Sequence, residues 1–107
     1  MSIKDCSHME LKRVYSCSIE LIGSKVMCVL EVGDVDSFKN PKRLTIAMSN
    51  LYDLMISFNI SKLRRIVGMD IGCLIHNHFN DIQYILPIYH EKKKEDVSIR
   101  CNQVVLL

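Results

Sequence analysis

Apolar and polar residues alternate along two neighbouring runs near the start of the chain. In residues 13–21, Tyr15, Cys17, Ile19 and Leu21 alternate with Ser16, Ser18 and Glu20. In residues 25–32, Val26, Cys28, Leu30 and Val32 alternate with Met27, Val29 and Glu31. A period of two is the mark of a half-buried strand. The connection Ile22-Gly23-Ser24 holds a glycine, so the two runs predict a β-hairpin. The second run is apolar on both sides over much of its length, which predicts a central or doubly covered strand. A third strand is expected where Leu44, Ile46 and Met48 alternate with Thr45 and Ala47.

The period then changes. After Ser49, a good helix N-cap, Leu51, Leu54, Met55 and Phe58 fall three and four apart and share one helical face. Leu63, Ile66 and Val67 extend that stripe, while Asn59-Ile60-Ser61 predicts a break. Gly68 reads as the stop, with Lys62, Arg64 and Arg65 in the last turns. Residues 42–68, strand then helix, are the stretch on which the other strands pack.

The remaining segments are less regular. Residues 1–11 read as a leader and residues 33–41, GDVDSFKNP, as a loop. A short strand at 72–76 and a turn at 77–81 follow. Residues 82–90 are rich in strand formers, but Pro87 cannot donate to a ladder and marks an edge or a break. A charged turn at 91–96 leads into a last strand from Val97, with Ile99 and Cys101 on the same face. The expected class is α+β: an antiparallel sheet, one main helix and an extra C-terminal β-hairpin, in a single domain over 1–107. Residues 12–68 form the sheet-plus-helix module and residues 69–107 an extension.

Composition narrows the function little. The 107 residues are 49% hydrophobic, enough for a modest core. Fourteen basic against 12 acidic residues leave a net charge of +2, so only local clustering of cations marks a polyanion site. No apolar run approaches a membrane span and the first residues lack an apolar signal core, so a nuclear or cytoplasmic location is expected. Cys6, Cys17, Cys28, Cys73 and Cys101 make an odd count without a CxxC, which reads as reduced structural thiols.

Candidate chemistry is sparse. His76-Asn77-His78 spells the letters of a nuclease motif whose histidines lie far apart in real examples. With Cys73 and His90 it holds zinc-ligand types, but turn histidines are usually solvated, so no metal site is assigned. Asp34, Asp36, Asp70 and Asp81 are turn residues, and no nucleophile sits in a catalytic pattern. Gly23, Gly33, Gly68 and Gly72 are dispersed and form no phosphate loop. The chain reads as non-enzymatic, with no cofactor. Its cations fall in four groups: Lys12-Arg13; Lys25 with Lys39, Lys42 and Arg43; Lys62, Arg64 and Arg65; and residues 92–94. Lys25 and Arg43 each open a strand, which predicts a cationic rim able to attract a phosphate backbone.

Residues 13–67 resemble the positive cofactor four type of transcriptional coactivator. The similarity rests on the hairpin with Gly23 and Lys25, the apolar strand ending in Glu31, and an acidic loop. Pro41 and Arg43 then precede the apolar strand 44–48, Asn50 opens the helix, and Tyr52 stands for an early helical aromatic. The resemblance implies a curved antiparallel sheet followed by a helix, a homodimer made through that helix, and single-stranded DNA held on the sheet. Leu21 and Ile22 stand where the family carries a stacking aromatic before the hairpin glycine, and Val32 and Gly33 where one follows Glu31. The chain has no tryptophan. Since stacking is worth about 1–3 kcal/mol per base, weaker or more electrostatic binding is implied, with Tyr15, Phe38, Tyr84 or Tyr89 as substitutes.

The leading expectation is therefore a sequence-nonspecific binder of single-stranded DNA or RNA. Lys12, Arg13, Tyr15, Lys25, Lys39, Lys42 and Arg43 would contact the strand. Leu51, Leu54, Met55 and Phe58 would pack the helix on the sheet or on a partner helix. The rival is a protein-interaction module that recruits another polypeptide by strand addition at a sheet edge or at the C-terminal hairpin.

Overall fold

The computed structural model describes residues 3–88 and 94–104. Seven strands form one antiparallel sheet: β1 (His8–Ile22), β2 (Lys25–Gly33), β3 (Lys42–Ala47), β4 (Asp70–Ile75), β5 (Ile82–Pro87), β6 (Ile99–Arg100) and β7 (Asn102–Val104). Their order across the sheet is β6-β5-β4-β1-β2-β3-β7. The principal helix α1 (Leu51–Ser57) follows β3, and the short α2 (Lys94–Val97) precedes β6. The class is α+β, as the alternation in the sequence implies. No helix among the described residues is long and apolar enough to cross a membrane.

The β1–β2 hairpin turns through Gly23 and Ser24 alone, because Ile22 pairs with Lys25. Gly23 has φ +63° and Ser24 does not enter positive φ. That is a two-residue turn with glycine first, whose twist matches the flanking strands.

β1 begins earlier than the alternation implies. Residues 8–11, expected in a leader, pair with β4: His8 lies opposite Ile75 and Arg13 opposite Asp70. The ladder partner that orders them is sixty residues away, so nothing local announces it. A bulge between Val14 and Ser16 also interrupts the β1–β2 register. Val14 before it and Cys17 after it both join the core, and Tyr15 becomes the extra residue. Tyr15 therefore leaves the stripe in which the alternation places it.

The helix is shorter than its stripe. A 3-10 turn, Met48–Asn50, runs straight into α1, with the Leu51 N–H donating to the Met48 carbonyl. No side chain caps either start, so Ser49 is not the N-cap. At the other end Asn59 adopts φ +53°. The Ile60 N–H reaches the Met55 carbonyl at 3.0 Å and the Asn59 N–H the Ile56 carbonyl at 3.2 Å. These are the two bonds of a Schellman stop, in which asparagine tolerates the left-handed position. Leu63–Ile66 is a separate 3-10 turn ending before Gly68 at φ +91°.

The core lies inside the curl of the sheet. Val14, Cys28, Leu30, Val32, Leu44, Ile46, Ile71, Cys73 and Ile85 line it from the strands, and Leu54, Phe58 and Ile66 close it from the helical segment. Leu51 packs at its margin. A smaller cluster on the other face joins Leu74 and Leu86 to Val97, with Ile3, Cys6 and Tyr84 against it.

β5 and β6 pair antiparallel, Tyr84 opposite Arg100 and Ile85 opposite Ile99, giving the expected C-terminal hairpin. β5 is an interior strand, not an edge. Pro87 stands at its last position, opposite Ile71, where a missing donor is harmless. After Cys101 the chain pairs on as β7 with β3, Arg43 opposite Val104. The Cys101 N–H meanwhile donates to Gln83 at 3.0 Å. One short run thus serves both ends of the sheet, without a continuous ladder that would close it.

Candidate interaction surface

The length of β1 creates an unpaired edge. Its first six residues have β4 on one side, and Val14 exchanges bonds with Gly68 and Met69 at 2.7 and 2.9 Å. Among the described residues, the strand pairs from Ser16 to Ile22 with β2 only. Ile22 faces its turn partner Lys25, so by alternation Glu20, Ser18 and Ser16 direct their backbone groups to β2. Cys17, Ile19 and Leu21 direct theirs to the open side.

Past Cys17, which packs against the core, Ile19 and Leu21 carry apolar side chains beyond its reach. By register, Cys17 lies across from Leu30 and Leu44, Ile19 from Cys28 and Ile46, and Leu21 from Val26. Leu30, Leu44, Cys28 and Ile46 are buried, whereas Ile19 is 48% exposed, Leu21 71% and Val26 49%. Met48, one residue beyond the Ala47–Met27 pair, extends the exposed apolar strip beside Val26. The inward stripe of the hairpin simply runs past what covers it.

The opposite face of β1 is polar from Ser16 to Glu20, with Met27 and the buried Val29 across from it on β2. Ser18 donates to Glu20 at 2.6 Å, and Arg43 donates to the same carboxylate. The Ser18 hydroxyl above all holds the Glu20 carboxyl below its usual range; burial opposes it, and the Arg43 charge and hydrogen bond add to the lowering.

Cys17 and Cys28 lie diagonally, their Sγ atoms 4.0 Å apart. The contact pushes the Cys17 thiol down and the Cys28 thiol up, burial adding to the second shift. Cys73 is pushed up to about 12, mainly by burial, and Cys101 well above the ordinary thiol value for the same reason. All five cysteines are free thiols.

The expected cationic rim is only partly assembled. Lys42 pairs with Val32 at the far end of β2 from Lys25, so the two stand about 23 Å apart at the rise of a strand. Antiparallel pairing puts the start of β3 beside the end of β2, which separates Lys25 from Lys42 and Arg43. Lys12 is buried and lies 3.3 Å from Asp34 and 3.6 Å from Glu10. Arg13 grips Asp70 through two nitrogens, at 2.7 and 3.3 Å. Arg43 is bound to Glu20.

Lys39 and Lys42 remain exposed, next to Phe38. The Phe38 ring is half exposed and lies 4.5 Å from that of Tyr15, whose hydroxyl donates to the Asp34 carbonyl at 2.7 Å. Phe38, Pro41, Lys42, Arg43 and Glu31 line a shallow hollow of about 170 Å³. Glu31 shares this hollow with Lys42 and Arg43, and Glu10 and Asp34 flank Lys12, so carboxylates accompany the cations at this end of the sheet.

Leu54 and Phe58 are buried in this chain's own core, and Leu51 and Met55 are half-buried, so this helical face is turned to the sheet. Arg64 and Arg65 are exposed on the 3-10 turn. Tyr89, His90, Lys92 and Lys93 lie outside the described residues. His76 is buried, and its Nδ1 accepts from the His78 and Phe79 amides at 3.1 Å each, which occupies that nitrogen in the turn. No group of three metal-ligating side chains occurs among the described residues. A cleft of about 420 Å³ between α1 and β6 is lined by Asp53, Ser57, Tyr84, Asp96, Ser98 and Arg100 among others. Comparison with family models, curated proteins and solved structures returns no match.

The free edge is the feature that residue patterns alone did not reveal. The stripe Cys17-Ile19-Leu21 was legible. That β4 stops at Arg13 was not, because strand pairing across sixty residues leaves no local mark.

Proposed function

We propose that this chain is a non-enzymatic protein-interaction module that accepts an extended polypeptide strand on the free half of β1. The carrying observation is the coincidence, over residues 16–22, of an unpaired backbone edge and exposed Ile19 and Leu21. Strand addition draws its affinity from main-chain hydrogen bonds and its selectivity from alternate side chains. Natural sheets usually blunt such an edge with lysine, proline or a covering loop. Here the segment SCSIELI has Glu20 as its one charge, held on the other face by Arg43.

A labelled peptide with the sequence of residues 15–23, cysteine replaced by serine, tests this by fluorescence anisotropy. Saturable binding that a scrambled peptide does not reproduce, and that Leu21→Asp removes, is expected. Equal behaviour of the two peptides would refute edge recognition.

Binding of single-stranded nucleic acid is the second reading. Its support is the exposed Phe38 ring backed by Tyr15 and flanked by Lys39 and Lys42, a stacking platform beside cations. The carboxylates paired with Lys12, Arg13 and Arg43 rank it second, since they cancel much of the attraction for phosphate. A labelled single-stranded 20-mer across a salt series decides it. Affinity falling steeply with salt, and weakened by Lys39→Glu and Lys42→Glu, supports it; no binding at low salt removes it.

A further inference from the structure

We propose that the strand taken up by this edge is β1 of a second copy, paired antiparallel about Ile19 in a two-fold symmetric dimer. The inference rests on the strand-addition reading above and names its partner.

The first ground is self-complementarity. A two-fold interface requires that whatever residue i meets, the mirror residue meets in return. The segment Cys17-Ser18-Ile19-Glu20-Leu21 reads apolar, polar, apolar, polar, apolar in both directions. Centred on Ile19, the pairing sets Ile19 against Ile19 of the second copy, Cys17 against Leu21, and Ser18 against Glu20. Apolar residues therefore meet apolar residues. Glu20 meets a serine hydroxyl rather than another carboxylate, so no like charges oppose each other.

The second ground is the direction of the backbone groups. Cys17, Ile19 and Leu21 are the residues whose N–H and C=O point to the open side, and this register pairs them only with one another. The three positions give reciprocal hydrogen bonds in every case. A register shifted by one residue would break that parity and put the apolar face of one copy against the polar face of the other.

The third ground is where the edge ends. In this register the hairpin turn of one copy arrives beside Tyr15 and Val14 of the other. There Gly68 and Met69 already hold the Val14 backbone, and the space over Gly68 is open. The new ladder thus fills the free stretch and stops where the edge is occupied. Val26 and Met48 lie alongside on the apolar face. They widen the contact toward the roughly 800 Å² per partner that a stable interface buries.

The self-pairing of Ile19 supplies a test that a folding defect cannot mimic. Sedimentation equilibrium of the full chain is expected to give twice the 12.4 kDa chain mass. Ile19→Glu and Ile19→Lys should each give the monomer mass, because each places two like charges at the symmetry axis. Both should retain the wild-type circular dichroism spectrum, since Ile19 is half exposed. Mixed in equal amounts, the two variants should restore the dimer mass as a Glu–Lys heterodimer. A monomeric wild-type chain, a dimeric Ile19→Glu variant, or a mixture that stays monomeric would each overturn the proposal. If the wild type is monomeric yet binds the 15–23 peptide, the edge reading stands and the second copy is not its occupant.

Discussion

The most direct check on the helix assignment is Leu54→Ala. Leu54 is fully buried and packs into the main cluster from the middle of α1. Truncating a buried leucine removes its transfer free energy and leaves a cavity, at a cost of about 2.7–5.0 kcal/mol in well-packed sites. A site closed by one short helix collapses more easily than one inside a bundle, so about 3 kcal/mol is expected. That is a large share of the roughly 5–15 kcal/mol that holds such a domain together. At about 4–8 °C per kcal/mol for a chain near this size, the midpoint should fall by roughly 12–24 °C. Ile56→Ala is the internal control: two residues on and 61% exposed, it should change stability by less than about 0.5 kcal/mol. Urea unfolding followed by circular dichroism at fixed protein concentration measures both, with the slope unchanged if only stability moves. Equal costs at the two positions, or a cost below about 1 kcal/mol at Leu54, would refute the stated facing of the helix.

Other expectations are narrower. Gly23→Val places a β-branched residue at φ +63° in the hairpin turn and should cost at least about 1 kcal/mol by urea titration. Alkylation with iodoacetamide followed by peptide mapping should label Cys17 ahead of Cys28, Cys73 and Cys101, which react only once urea opens the core; thiolate character and access both favour Cys17. Ser18→Ala should raise the Glu20 pKa toward the ordinary carboxylate value, read from side-chain carboxyl shifts in a pH titration by nuclear magnetic resonance. Because the native pKa is lowered, the Glu20 contribution is complete above the ordinary value and is lost as pH falls through the native one. The Ser18 variant should lose it at higher pH than the wild type, and an unchanged titration would count against the Ser18 bond.

Much of the architecture is written in local spacing. The period-two runs, the turn at Gly23, the stripe Leu51-Leu54-Phe58 and the weakness at Asn59 follow from side-chain geometry and backbone preference. Each involves residues near one another in the chain. The helical stripe told which face turns inward, and asparagine at position 59 told where the helix stops, although not that a Schellman pair of bonds would stop it. The class, α+β with an antiparallel sheet, needs no more than this.

The tertiary structure alone decided what lies beside what. Residues 8–11 are a strand because Ile75, Leu74, Cys73 and Gly72 pair with them, and no property of those four residues announces it. Pro87 ends an interior strand because the C-terminal run folds back over β5. Lys25 and Arg43 look like neighbours when each opens a strand, yet antiparallel order puts them at opposite ends of β2. Lys12, Arg13 and Arg43 are cations in the sequence and partners of Asp34, Asp70 and Glu20 in the fold. The free edge of residues 16–22 exists because β1 outruns β4. Local sequence sets the preferred conformation of each segment through sterics and hydrophobic period, which act over a few residues. Pairing, charge cancellation and exposure depend on distances between segments remote in the chain, and only the packed fold defines those.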